Sequence, residues 1–262
     1  MTRVALVTGA ARGIGAATVH ALCAAGYAVT ALDGCAGEDV PPGVHYPLAR
    51  PADLERVAQR WPDQVLPVRA DVRDSAALAA AVTATVDRFG RLDAAVAAAG
   101  VVAGGQAQWE TPAEQLSTLL DVNVRGTWNT ATAVIPAMLA GPDPAGGRFV
   151  AVASAAASRG LFHLTGYCAS KHAVVGIVRG LAADLAGTGV TAVAVSPGST
   201  DTAMLAATAQ LYGTTAAELA DHQALRRPIT PGEIAATIAL CCSVAGAALN
   251  GSVLDADGGF GL

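Results

Sequence analysis

Arg3-Val-Ala-Leu-Val-Thr8-Gly9-Ala-Ala-Arg12-Gly13-Ile14-Gly15 decides the fold of this chain. Its first six residues form a short apolar run of the kind found in strands buried on both faces. The run enters a turn carrying Gly9, Gly13 and Gly15, and Ala16 to Ala25, closed by Gly26, has the composition of a helix. A strand, a glycine-rich turn and a helix in that order make a phosphate cradle. Glycines let backbone N–H groups approach a pyrophosphate, and the helix N-terminus adds partial positive charge. Gly9, Arg12, Gly13, Ile14 and Gly15 are the expected contacts.

The next strand, Tyr27 to Leu32, ends in Asp33, about 20 residues beyond the turn, where a carboxylate accepts hydrogen bonds from both adenosine ribose hydroxyls and repels a 2′-phosphate. That favours NAD over NADP. Arg12 pulls the other way, since a cation in the glycine loop can hold that phosphate. From Gly34 to Gln64 the chain is rich in Gly and Pro, with one helical stretch at Ala52 to Trp61. Connections this long are usually functional or disordered. Cys35, Val40, Val44, Tyr46 and Leu48 argue for order, so a flap over the cofactor is expected, and a surface insertion without function is the alternative.

Further runs continue the alternation of strand and helix. Val65 to Ala70 leads to Asp71-Val72, where a carboxylate and the following N–H suit the edge of an adenine. Ser75 reads as the N-cap of a helix over 76–89. Ala94 to Ala98 closes on Gly100, and Pro112 to Leu139 has one long helical pattern in which Asn123 is a polar residue among apolar ones, plainly read as a hydrogen-bonded core amide. Arg148 to Ala153 delivers Ser154 at the carboxyl end of a strand, where ligands bind in open α/β sheets. Thr165 to Ala186 is helical and carries Tyr167 and Lys171, four apart and so on one face. A cation beside a phenol favours the phenolate and brings its pKa down from about 10 towards exchange with an alcohol. Val190 to Val195 runs into Ser196-Pro197-Gly198-Ser199-Thr200-Asp201-Thr202. An excursion at 203–228, a helix at 231–242 and a short buried strand at 252–255 complete the chain. The pattern predicts a single doubly wound α/β Rossmann domain over 1–262 with a mainly parallel seven-stranded sheet.

The bulk numbers narrow the function. Of 262 residues 53% are hydrophobic and 14% charged, and the net charge of -5 argues against nucleic acid and anionic membranes as partners. Cys23, Cys35, Cys168, Cys241 and Cys242 lack metal-ligand spacing and read as reduced thiols of a cytoplasmic protein. No metal is expected. Ile234 to Leu254 has no formal charge and spanning length, but Asn250-Gly251 breaks it, so it reads as helix, turn and strand.

Together these residues resemble the short-chain dehydrogenase/reductase family over essentially the full length. The resemblance rests on Thr8 to Gly15, Asp71-Val72, Asn123-Val-Arg-Gly126, Ser154, Tyr167-x-x-x-Lys171 and Pro197 to Thr202. It implies that Tyr167 is the general acid/base, that Ser154 binds the substrate oxygen, and that Lys171 binds the nicotinamide ribose and lowers the Tyr167 pKa. Asn123 would hold a water in a proton relay, Thr202 would contact the carboxamide, and Gly100, Pro197, Gly198 and Thr200 would line the cofactor. A homotetramer is the family expectation. Where the family usually has Asn-Asn-Ala-Gly, this chain has Ala97-Ala98-Ala99-Gly100, so bonds that steady the sheet must come from elsewhere.

Asp33-Gly-Cys35 followed by Tyr46-Pro47-Leu48-Ala49 is similar to the branch of the family coupled to mycofactocin, a peptide-derived redox carrier. That likeness implies NAD held without exchange beneath the 34–64 insertion and reoxidised by mycofactocin. The leading expectation is an NAD-dependent alcohol dehydrogenase or carbonyl reductase acting on an uncharged, fairly hydrophobic alcohol or ketone. Its pocket walls would come from 101–109, 161–164 and 203–227, with His163 as a loop residue or a substrate contact. Alternatives are an NADP(H)-dependent ketoreductase with exchangeable cofactor and a non-catalytic NAD(H)-binding sensor.

Overall fold

The computed structural model describes residues 2–261. Seven apolar runs become β1 (Val4–Thr8), β2 (Ala28–Asp33), β3 (Val65–Arg69), β4 (Ala94–Ala97), β5 (Arg148–Val152), β6 (Thr191–Pro197) and β7 (Val253–Ala256). They form one sheet in the order β3-β2-β1-β4-β5-β6-β7, with every pairing parallel. Side chains alternate across it. Ala5 and Val7 of β1 face a core layer with Val19 and Leu22 of α1 (Gly13–Ala24), Leu54 and Val57 of α2 (Pro51–Gln59), and Ile234 and Ile238 of α9 (Pro231–Cys242). Val4 and Leu6 face the other layer. There they meet Val82 of α3 (Ser75–Phe89), Val134 and Met138 of α5 (Gly126–Leu139), and Val174 and Val178 of α6 (Thr165–Asp184). Phe149 of β5 is fully buried in this second layer, and Phe149→Ala would cost about 3–5 kcal/mol.

Four local readings change. The cap of α3 is Asp74, not Ser75: its carboxylate accepts from the N–H groups of Ala76 and Ala77 at 2.9 and 3.0 Å. The 112–139 pattern is not one helix. It breaks into α4 (Ala113–Leu119), a π-helical turn over Leu120–Arg125, and α5, with Asn123 on the turn. Such turns insert a residue's worth of backbone and re-aim the side chains after them. Only a half-buried edge strand, β7, forms where a buried one was expected. The fourth concerns the connection after β2. Residues 34–50 lack regular structure, but Leu48 N–H donates to Gly37 O at 2.7 Å and Gly37 N–H to Ala49 O at 2.9 Å, which closes them into a loop. α2 then packs on the sheet as an ordinary crossover. The distinctive part of the connection is therefore 34–50.

The steadying bonds missing from Ala97-Ala98-Ala99-Gly100 come from Thr8, whose Oγ1 accepts from the N–H groups of Ala98 and Ala99, both at 3.2 Å. Residues 203–228 contain α7 (Ala203–Tyr212) and α8 (Ala216–Ala220). Among the described residues no helix is long and apolar enough to cross a membrane, and no His, Cys, Asp and Glu group has the arrangement to hold a metal.

Candidate active site

β1 lies between β2 and β4, so the order in which strands are added to the sheet reverses there and a crevice opens at the carboxyl ends of the strands. That crevice is a cleft of about 830 Å³. Its floor is the glycine turn. Gly9 sits at φ 65°, and a Cβ there would come within 2.7 Å of Ala99 Cα; one on Gly15 would run into the Gly9 carbonyl. α1 starts without a side-chain cap, leaving its first-turn N–H groups to the cleft lined by Gly13, Ile14 and Gly15. An uncapped helix start behind a turn that admits only glycine fits a pyrophosphate.

At the adenosine end, Asp33 is fixed by accepting from Ala11 N–H at 3.1 Å and Cys35 N–H at 2.9 Å, with Cys35 in the left-handed region at φ 51°. Arg12 is engaged by the 34–50 loop. Its guanidinium donates to Pro47 O at 2.8 Å and lies 5.9 Å from the centre of the Tyr46 ring, which occupies the cation that argued for a 2′-phosphate. Asp71 is paired with Arg73, whose Nε and Nη2 donate to its carboxylate at 2.6–3.1 Å. Burial pushes the Asp71 carboxyl up, and the Arg73 hydrogen bonds outweigh it, so the net shift is downward. Arg73 also lines the cleft, and sequence reading passed over it although Asp71-x-Arg73 spells the pair.

The reacting end is built from buried groups. Ser154 leaves β5 and its Oγ accepts from Ala156 N–H at 3.1 Å, which starts a short 3₁₀ turn. Tyr167 and Lys171, 7% and 5% exposed, face the cleft from the first two turns of α6. Lys171 Nζ donates to Val152 O at 2.9 Å and stands 5.8 Å from the Tyr167 ring centre. Burial pushes the phenol up to about 12 while the Ser154 hydroxyl beside it acts downward, and desolvation brings Lys171 down to about 8. The expected lowering of the phenol by Lys171 is therefore not seen: desolvation dominates, and the ammonium is directed to Val152. Tyr167 OH contacts Met204 Sδ at 3.9 Å, so the start of α7 covers the phenol.

Asn123 is 1% exposed and largely spent. Its Oδ1 accepts from Val101 N–H at 2.8 Å, and its Nδ2 donates to Val101 O and Ser170 Oγ, both at 3.0 Å. Ser170 in turn donates to Tyr167 O at 2.8 Å. This matches the core-amide reading and adds Ser170 as a link between the π turn and α6. Gly100 lies against both groups; a Cβ there would stand 3.2 Å from Asn123 Oδ1 and 3.5 Å from Lys171 Nζ.

Pro197, Gly198, Thr200 and Thr202 line the far wall of the cleft, and Asp71, Val72 and Gly100 line the near one. Thr202 also caps α7 by accepting from Leu205 N–H at 3.4 Å. Leu161, Leu164, Met204, Leu205 and Thr208 are wall residues as expected, whereas His163 is outside the lining, stacked on Phe162 at 3.7 Å. Trp109 is 83% exposed and belongs to no wall.

The 34–50 loop reaches further than the adenosine. Val44 and Tyr46 join an apolar cluster with Val101, Leu119, Leu164 and Tyr167, and Tyr46 OH accepts from Val102 N–H at 3.1 Å. Gly43, at φ 81°, is pressed against Gln115 of α4. Sequence pattern gave no sign of these partners, because they join a loop to distant elements that only the tertiary fold brings near.

Comparison with known proteins agrees with this geometry. A family model described as Enoyl-(Acyl carrier protein) reductase matches residues 9–261. An uncharacterized NAD-dependent oxidoreductase of Mycobacterium tuberculosis is 40% identical over 206 residues, which is 78% of this chain and 73% of that protein. The (-)-trans-carveol dehydrogenase of Rhodococcus erythropolis is 34% identical over the same shares. Among solved structures, carveol dehydrogenase from Mycobacterium avium in complex with NAD superposes with a TM-score of 0.91 at 28% identity, covering 98% of this chain and 96% of that one. A short chain dehydrogenase from Mycobacterium paratuberculosis bound to NAD gives 0.87 at 33% identity, covering 98% and 97%. With a glycine cradle, a carboxylate at the tip of β2, a buried Tyr–Lys pair on α6 and relatives of this kind along nearly its whole length, the chain belongs to the short-chain dehydrogenase/reductase family.

Proposed function

We propose that this NAD-dependent oxidoreductase interconverts an uncharged alcohol and its carbonyl compound, with Tyr167 moving the proton. The observation that carries the reading is the convergence of Ser154, Tyr167 and Lys171 at the carboxyl end of β5, beside a cradle whose adenosine end offers Asp33 and withholds Arg12. NAD, when bound, supplies the hydride acceptor or donor. Gly9, Gly13, Ile14 and Gly15, with Arg12 through its backbone, would hold its pyrophosphate, Asp33 its adenosine ribose, and Asp71 and Val72 its adenine edge. Gly100, Lys171, Pro197, Gly198, Thr200 and Thr202 hold the nicotinamide half. Ser154 binds the substrate oxygen. In oxidation, Tyr167 takes the hydroxyl proton; in reduction it returns a proton to the carbonyl oxygen. A phenol kept protonated by burial favours the second role. Asn123 fixes Val101 and α6 through its bonds to Val101 and Ser170, and the lone pair left on its Oδ1 would hold the water of a proton relay. The wall residues Val102, Leu161, Leu164, Met204 and Leu205 suit an apolar substrate body.

The 34–50 loop supports a finer reading: NAD that does not exchange and is reoxidised in place by mycofactocin. Pinning of the loop by Arg12, Val102 and Gln115 supports it, because release would require breaking contacts at both ends of the cleft. A homotetramer is part of the proposal, with Leu116, Leu120, Trp128 and Leu139 of the α4–α5 region exposed for an interface, as is a cytoplasmic location. Purification without added cofactor tests the reading. Stoichiometric bound NAD, no exchange with labelled NAD, and alcohol turnover with an artificial electron acceptor are expected. An empty site or rapid exchange removes the retention step, and failure of a broad alcohol and ketone panel with either acceptor removes the reaction.

A further inference from the structure

Tyr46 is carried by the 34–50 loop, yet its hydroxyl lies at the reacting end of the cleft. It is 8% exposed, lines the cleft, and shares the apolar cluster of Tyr167, Leu164 and Val102. Among the described residues its oxygen accepts one hydrogen bond, from Val102 N–H at 3.1 Å, and its proton is donated to no protein acceptor. A buried hydroxyl proton without an acceptor is costly, and a cleft-lining one finds its partner in what the cleft binds. The partner's chemistry follows from the surroundings. Val101, Val102, Leu164 and Met204 around it present no charge, and the charged neighbours are engaged elsewhere, Arg12 by Pro47 O and Lys171 by Val152 O, so an uncharged acceptor suits the position. The partner is not the reacting oxygen, which already has Ser154 and Tyr167.

We propose that Tyr46 is a specificity-determining residue whose hydroxyl donates a hydrogen bond to a second, uncharged oxygen of the substrate, so that the cleft selects alcohols and ketones bearing another carbonyl, ether or hydroxyl group. This deepens the alcohol/carbonyl reading above and rests on it. The ring of Tyr46 serves a separate purpose, packing under Arg12. Removing only the hydroxyl therefore keeps the ring under Arg12 and takes away the substrate bond together with the bond from Val102 N–H, so the dione-to-monoketone ratio, not overall affinity, reads recognition.

The test uses the purified, NAD-loaded protein and measures Kd by calorimetry for cyclohexanone, cyclohexane-1,2-dione and cyclohexane-1,4-dione. In the unaltered protein at least one dione binds about tenfold more tightly than the monoketone, the size of one well-made hydrogen bond. Tyr46→Phe brings that ratio to about one while the monoketone still binds; exchange of labelled NAD is followed separately, because the variant also loses the bond from Val102 N–H. Three results overturn the inference: no dione preference in the unaltered protein, a preference that survives in Tyr46→Phe, or equal weakening of all three probes, which marks a structural role. Failure of the underlying reading shows elsewhere, as undiminished turnover in Tyr167→Phe, and is independent of the dione ratio.

Discussion

At the reacting end of the cleft, Asn123, Ser154, Tyr167 and Lys171 sit on strand ends, a π turn and a long helix, tied by bonds that water hardly reaches. At the adenosine end, Asp33 and the Asp71–Arg73 pair stand half open to solvent, and the wall is a loop held by Arg12 and a few backbone bonds. Rigid elements hold positions to fractions of an ångström, as proton transfer requires. The outer part of that loop rests on exposed contacts, which open at less cost than the buried bonds of the sheet, while Val44 and Tyr46 anchor its inner part. Chemistry and cofactor handling are thus placed on parts of unequal stiffness. Perturbing a group of one end that does not touch Tyr46 should leave the other largely intact.

Tyr167→Phe is the strongest way to break that separation. Turnover is expected to fall about 10³-fold, within the usual range for loss of a general acid/base, while bound NAD measured after denaturation stays at its original content. Loss of NAD in the same variant would show that the two ends are not separable. A pH series comes next in size. With the phenol pushed up to about 12, the proton-accepting form is scarce at neutrality, so alcohol oxidation should rise about tenfold per pH unit from 7 to 9. Carbonyl reduction, which uses the protonated form, should not rise with it. A plateau in oxidation before pH 9 would mean that the loaded site lowers the phenol as the family resemblance implies.

Asp33→Asn acts at the other end. It removes a charged acceptor, worth about 1.5–3 kcal/mol, so NAD affinity should fall about 10–100-fold while the rate at saturating NAD changes little. Arg12→Ala is the mildest. It deletes one hydrogen bond and one cation–π contact, and labelled-NAD exchange should quicken about 5–30-fold with turnover per bound NAD unchanged. If exchange does not quicken, Arg12 does not hold the loop down.

What could be read in the sequence tracks the range of the interactions. The alternation of strands and helices, the glycine turn and Tyr167-x-x-x-Lys171 are local patterns, and each lies where its pattern placed it. The π turn escaped because the apolar period across 112–139 continues through it, and a dephasing of one residue is invisible in a pattern that tolerates either register. The Asp71–Arg73 pair is local and was readable. Ser170 and Thr8 were in view, but the partners that matter are fixed by tertiary approach: Asn123 reaches Ser170 from 47 residues away and Thr8 steadies a segment some 90 residues away. The same holds for Arg12, whose charge is readable and whose direction is not. Direction decided whether it counted for NADP or for the loop.

Tyr46 carries Arg12 on its ring face and Val102 on its hydroxyl, so a single side chain is a wall for both ends of the cleft. Two ligands that share a wall share free energy. Whatever factor by which bound substrate lowers the Kd for NAD must return as the same factor by which NAD lowers the Kd for substrate. An enzyme that keeps its cofactor through this loop would also hold its pocket in the form that recognises substrate.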